Sequence, residues 1–464
     1  MKKLGLLSAL LVASSFKLLD RIFPKPATFG QHLRQNLLVG LLVVGLVIVF
    51  QNTDAVRNSR EQSIDWLIGM NRGIDVAQGN DARPFVFYDI DDKSQQLWGE
   101  PLFTPRDKLA TLIAAALEKR PAVLIVDIEL RKSMPDDAAL LDVLRRHAAM
   151  AAAPTLILVE SFRWNPLESG GGNWVTRPSF IDSTLPPSRQ RLSASPLFEQ
   201  DQDGQYRRWR GWLSACSAQD LPIIVPSVQI SVLAALSGEP ALTALEQALR
   251  SALPRSCSEE AQLAQTRMVI GTKSIAVTGN AFTQRILFAL PWKLAADETR
   301  PVIDFAGGKA PLLSILPAHA ITEGGLRTTL APGHIAVIGA SNQDARDIHA
   351  TPLGAMPGSL ILINAIDSLI QHGQMTTPAV WIQLLTAIVL LSVVSLIATR
   401  FPTALGTMIS LAVLVLILVP LSVYFFRYGV WLDFALPVAA VKFFELAMNN
   451  LRKHVHYRKT AHHD

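Results

Sequence analysis

PFVFYDI at residues 84–90, AVLIVDIEL at 122–130 and TLILVE at 155–160 are three short apolar runs separated by longer, differently patterned segments. Continuous runs of this length suit strands that are buried on both faces. Between the first two, residues 107–119 place Leu109, Leu112, Ile113, Ala116 and Leu117 on one helical face, with Thr104-Pro105 as the helix entry. Between the second two, Pro135-Asp136-Asp137 precedes Leu140, Leu141 and Leu144, again on one face. Strand, helix, strand, helix, strand in this order predicts an α/β domain with a mostly parallel sheet, right-handed crossovers and helices on both faces.

Downstream, the rhythm breaks. Residues 162–210 contain Gly170-Gly171-Gly172, Pro186-Pro187, many polar residues and a turn at Asp203-Gly204, and read as a long loop or excursion. Helices are predicted at 227–237 and 242–252, and short strands at 267–270, 284–288 and 301–304. A strand at 334–339 and a helix at 358–371, ended by Gly373, close the domain.

The flanks are of another kind. The chain has 464 residues, 50% of them hydrophobic and only 17% charged, with a mean hydropathy of +0.28. The apolar residues are bunched, which predicts transmembrane helices at 36–52, 378–399, 403–426 and 430–447. The first is the shortest, because the wholly apolar stretch covers only 37–50 and needs its flanks to reach the roughly twenty residues that hydrocarbon demands. The last carries Asp433, Lys442 and Glu445, with Lys442 and Glu445 at helical i,i+3 spacing. Residues 4–19 form a further apolar stretch, read as an interfacial helix within a cytoplasmic segment 1–35 and, alternatively, as a cleavable signal peptide.

Orientation follows from the basic residues. Ten Lys and Arg stand in the tails 1–35 and 448–464 against Asp20 and Asp464, although the whole chain carries only +5. This is a positive-inside pattern. It puts both termini in the cytoplasm and residues 53–377 outside, in a bacterial inner membrane. The same bookkeeping gives no support to a nucleic-acid partner, since the exterior segment is net acidic. The two cysteines, Cys216 and Cys257, both fall in that segment and form a disulfide candidate, the alternative being two unrelated buried thiols.

Several local patterns of the exterior segment, in order, resemble the type-two CHASE family, an extracellular sensing domain associated with cyclases and histidine kinases. They are Ile90-Asp91-Asp92-Lys93-Ser94 after the first apolar run, then Pro101 and Pro105-Arg106; Val126-Asp127-Ile128; Asp201-Gln202-Asp203-Gly204 with Arg207-Arg208, then Pro226-Ser227; and Ala336-Val337-Ile338-Gly339-Ala340 followed by Asp347, Thr351-Pro352, Pro357-Gly358 and Asn364. The resemblance covers about residues 55–375. It implies a sensor between one preceding and three following membrane helices. Family members usually continue into a cytoplasmic kinase or cyclase, and the tail 448–464 is too short to bury a core. The resemblance thus implies a relay through the membrane helices to a separate protein partner.

Parallel α/β sheets bind ligands beyond the carboxyl ends of their strands. Asp91, Asp92, Arg106 and Asp127 fall at or just after such ends, and Asp347 and Thr351 follow the 334–339 strand. One reading is a polar pocket for a small solute or cation. The other has Asp91 and Asp127 capping helices or turns, with Arg106 paired to one of them. Gly307-Gly308-Lys309 lacks the spacing of a phosphate loop, and His454, His456, His462 and His463 belong to a basic tail beside lipid headgroups. No nucleophile motif, metal-ligand spacing or cofactor fingerprint is present, so catalysis is not expected. The expected partners are membrane lipid, an output protein and a further copy of the chain. The competing reading is a structural assembly subunit of an envelope complex.

Overall fold

Phe85–Ile90 (β1) lies near the middle of a six-stranded sheet completed by Val123–Val126 (β2), Thr155–Val159 (β3), Arg191–Ala194 (β4), Leu313–Pro317 (β5) and Ile335–Ala340 (β6). The computed structural model describes residues 53–70, most of 81–375 and parts of 381–431, with scattered residues between 30 and 34. Breaks occur at 151, 167–171, 258, 260–266, 277–282, 295–297, 306–307 and 325–329. The chain divides into two units, residues 68–375 and, separately, residues 1–67 with 376–464.

The sheet order is β5-β1-β6-β2-β3-β4, and every neighbouring pair is parallel. Even-numbered residues of the strands, among them Val86, Tyr88, Leu124, Val126, Leu156 and Ile338, form one core with two helices. These are Arg106–Glu118 (α2), which contributes Leu109, Leu112 and Ile113, and Asp137–Ala148 (α3), which contributes Leu140 and Leu144. A short helix, Asp92–Leu97 (α1), precedes α2. The other sheet face, with Phe85, Phe87, Ile125 and Val337 fully buried, is covered by Val228–Leu236 (α4) and, beyond the Glu239–Ser251 (α5) and Ala318–Thr322 (α6) helices, by Gly358–His372 (α7). Two-sided burial explains why β1, β2 and β6 are uninterrupted apolar runs rather than alternating ones.

The segment 162–210 is not a loop. It contributes the strands Ser161–Pro166 and Gly172–Arg177, then β4, Phe198–Gln200 and Tyr206–Arg210. Gly172 opens a strand, Asp203-Gly204 is the turn before Tyr206–Arg210, Gly170 and Gly171 lie outside the described residues, and Trp164 packs edge-on to its cross-strand neighbour Trp174 at 5.1 Å between ring centroids. The 284–288 strand shortens to Thr283–Arg285, and β5 carried no sequence signal strong enough to predict it. Cys216, the last residue of Trp212–Cys216, is bonded to Cys257 beyond α5, with the Cα atoms 5.6 Å apart.

In the second unit, the helix Val419–Phe426 lies within the expected span 403–426, and the Arg60 guanidinium sits 5.8 Å over the Trp431 ring. The expected span 36–52, nearly all of 430–447 and of the tail 1–35, and the tail 448–464 with its histidines lie outside the described residues, and 378–399 and 403–426 are described only in part. Among the described residues no helix is long and apolar enough to cross a membrane.

Candidate functional site: a cleft at the carboxyl edge of the sheet

The chain order sends β1 to β2, yet β6, the last strand, inserts between them. The carboxyl ends of β1, β6 and β2 therefore lie side by side where the connections diverge, the topology that opens a crevice in α/β sheets. A cleft of about 950 Å³ lies here, lined among others by Arg106, Asp127, Glu129, Arg177, Asn342 and Asp347.

Asp91 caps α1. Its carboxylate accepts the Ser94 N–H at 2.8 Å and the Ser94 hydroxyl at 2.5 Å. Ser94 Oγ in turn accepts the His319 N–H at 3.0 Å, and His319 Nδ1 stands 3.4 Å from Asp91, so this cluster ties α1 to α6. Asp92 accepts the Gln343 N–H at 2.8 Å and holds the loop after β6. Both acids thus fasten loops, as Asp at such positions does for local reasons.

Arg106 does not pair with Asp91 or Asp127. Its Nε faces Asp137 at 3.5 Å, its Nη2 donates to Lys132 O at 3.3 Å, and its guanidinium lies 5.6 Å over the Phe180 ring. The reason is helical packing: α2 and α3 run side by side, so the residue opening α2 meets the acids opening α3, and its own N–H donates to Asp136 at 2.7 Å. Thr351 also departs from expectation. It closes the hairpin Ile348–Thr351/Gly354–Pro357 by donating to Gly354 O at 2.6 Å and lies outside the cleft lining.

Asp127 and Asp347 are brought together. The Asp127 N–H donates to Ile338 O at 2.8 Å, which extends the β2–β6 pairing by one residue and sets Asp127 beside Gly339. Ser359, in the first turn of α7, donates its hydroxyl to Asp127 Oδ2 at 2.6 Å. Gly339 makes the approach possible, because a Cβ there would fall 2.7 Å from the Ser359 Cβ. Gly358 does the same for Asp347, whose Oδ2 would lie 2.5 Å from a Cβ at that position. Two carboxylates therefore meet the amino end of a fifteen-residue helix, where the helix dipole favours negative charge. Burial pushes the Asp127 carboxyl up to about 6, with Asp347 adding to the rise and the Ser359 hydroxyl opposing it. His349 Nε2 meets Asp347 Oδ1 at 2.8 Å.

Asp89, only 6% exposed at the end of β1, is likewise pushed up to about 6 by burial, and its Oδ1 lacks a hydrogen-bond partner among the described residues. Asn342 bridges the strands by donating from Nδ2 to Ile90 O at 3.0 Å while its Oδ1 caps the following turn at Ala345 N. Sequence reading missed Asn342, Ser359, Glu129 and Arg177. A hydroxyl directly after Pro357-Gly358 at a helix entry was a usable signal for Ser359, whereas Arg177 belongs to the misread excursion. Among the described residues no group of three His, Cys, Asp or Glu is placed to hold a metal ion.

A family model for the CHASE2 domain matches residues 39–397. The chain belongs to the CHASE2 family. CHASE2 domains are extracellular sensor domains, so the cleft sits in a sensor fold. No curated protein and no solved structure matches this CHASE2 chain.

Proposed function

We propose that this CHASE2 protein is a non-catalytic, multi-pass inner-membrane sensor that binds a small extracytoplasmic ligand in the cleft at the strand ends and relays occupancy to a separate protein partner. One observation carries the reading: the 2.6 Å hydrogen bond from Ser359 to Asp127. It couples the cleft to α7, which is buried along nearly its whole length and ends at Gly373, just ahead of the expected span at 378–399. A ligand that changes the state of Asp127 changes the contact at the head of α7, and α7 is continuous in the chain with the membrane segment. Signalling requires the two states to differ in ligand affinity, and a rigid buried helix is a suitable element to carry that difference. In this reading the flanks contact lipid through the predicted spans, both termini are cytoplasmic, and a second copy of the chain is available to make a homo-oligomer.

The test is a thermal melt of the full chain in lipid nanodiscs against a library of small solutes and divalent cations, repeated with Asp127→Asn. A shift of several degrees that disappears in the variant supports the reading, because preferential binding to the folded state raises apparent stability. A cooperative melt that no compound shifts overturns it and favours an assembly subunit.

A further inference from the structure

Besides Glu129 and Arg177, which stand 3.9 Å apart, the cleft holds two opposite charges that have other partners, Asp127 and Arg106. Asp127 has Asp347 and Ser359 as its electrostatic neighbours, whereas Arg106 has Asp136 and Asp137. Arg106 lies against Asp137 at 3.5 Å and Asp127 against Ser359 at 2.6 Å, and both line the same cavity. Asp127 keeps Oδ1 without a donor among the described residues, since its one side-chain hydrogen bond goes to Oδ2. Arg106 is 2% exposed, and only its Nη2 donates a side-chain hydrogen bond, while Nε, 3.5 Å from Asp137, has no hydrogen-bond partner among the described residues. A buried guanidinium with an unused N–H and a carboxylate with an unused oxygen are each costly in isolation and each complementary to an ionised ligand group.

Building on the sensor reading above, we propose that the cleft receives a zwitterion with well-separated charges, its carboxylate on Arg106 and its ammonium between Asp127 and Asp347. The separation follows from the same facts. An α-amino acid holds its two charges within one carbon of each other, whereas Arg106 opens α2 against the acids of α3 and Asp127 and Asp347 stand at the head of α7. A cavity of about 950 Å³ also exceeds what one small amino acid fills. Leu102, 89% exposed, and Phe103 line the same cavity and offer apolar surface to the body of such a ligand. An ammonium suits the carboxylate end, because three donors find Asp127 Oδ1 and the Asp347 carboxylate there. The shared chemistry, an ammonium and a carboxylate at opposite ends of a chain, is that of an ω-amino acid and of a short peptide with free termini.

Calorimetric titration of the full chain in nanodiscs at pH 7.5, where Asp127 is ionised, tests this with 6-aminohexanoate, trialanine, alanine, N-acetyl-trialanine and trialanine amide. Binding of 6-aminohexanoate alone identifies an ω-amino acid site, and binding of trialanine identifies a peptide site. In either case alanine binds at least about tenfold more weakly. Each cap on trialanine costs about tenfold or more, as loss of a charged hydrogen bond does. Arg106 is part of a buried pair and its removal threatens the fold, so the diagnostic variant is Asp347→Asn, at a side chain that is 40% exposed. That variant loses discrimination against the acetylated peptide and keeps discrimination against the amide, while Asp304→Asn, remote and 79% exposed, changes neither. Equal affinity for capped and free ligands, or no binding of any zwitterion, overturns the proposal. If the solute library shifts the melt through Asp127 while no zwitterion binds, the sensor reading stands and the ligand class falls.

Discussion

Gly339 shows how closely the site depends on single atoms. It lies where β6 passes under the first turn of α7, and a methyl group there would meet both Ser359 and the Phe87 ring. Gly339→Ala is expected to lower stability by about 1–3 kcal/mol, the usual cost of overpacking a dense interior, read as a drop in the denaturant midpoint. Ser359→Gly in the same chain should restore most of that loss, whereas Ser359→Ala should not, because the Cβ is already 2.7 Å away. Failure of the glycine rescue would show that the strain lies elsewhere. At this scale the sequence was informative about candidates and poor about partners. Asp91, Asp92, Arg106 and Asp127 were picked out by their position after apolar runs, and all lie near the carboxyl edge. Which of them fasten loops and which face the cleft depended on neighbours far away in the chain, such as His319 for Asp91 and Ser359 for Asp127.

Among the elements, strands buried on both faces were legible because an unbroken apolar run has few other uses, and helices such as α2 and α3 were legible from their one-sided leucines. The strands of 161–216 were not. They are short, and buried apolar residues such as Val175, Trp209, Trp212 and Leu213 are interleaved with charged ones, Arg207 and Arg208 being held by Asp201 and Asp203 in ion pairs of 2.6–2.9 Å. The disulfide reinforces this region by joining the strand that ends at Cys216 to the chain beyond α5. On the chain-entropy account, closing a loop of this size contributes about 4 kcal/mol. Reduction is therefore expected to lower the melting temperature of the full chain by many degrees, and a double Cys216→Ala, Cys257→Ala variant should melt like the reduced protein and ignore reductant. A melt unaffected by reductant in the native chain would remove the disulfide from the account of stability.

For the whole molecule, the distribution of charge predicts topology. In the proposed topology, with both termini cytoplasmic and 53–377 outside, Leu102→Cys, on an exposed loop, should react with a membrane-impermeant maleimide in right-side-out spheroplasts. Lys459→Cys should react only after permeabilisation. Reaction of both before permeabilisation, or of neither, contradicts the four-span arrangement. The sequence by itself determined the α/β class, the neighbourhood of the strand ends, the positive-inside bias and the family, because these depend on local periodicity, counted charge and ordered motifs. Only the tertiary structure decided that β6 enters between β1 and β2, that Arg106 belongs to Asp137, and that Asp127 and Asp347 share the head of α7. Strand order and long-range pairing arise from packing between segments hundreds of residues apart, and nothing in a local window of sequence encodes which of two distant acids an arginine will meet.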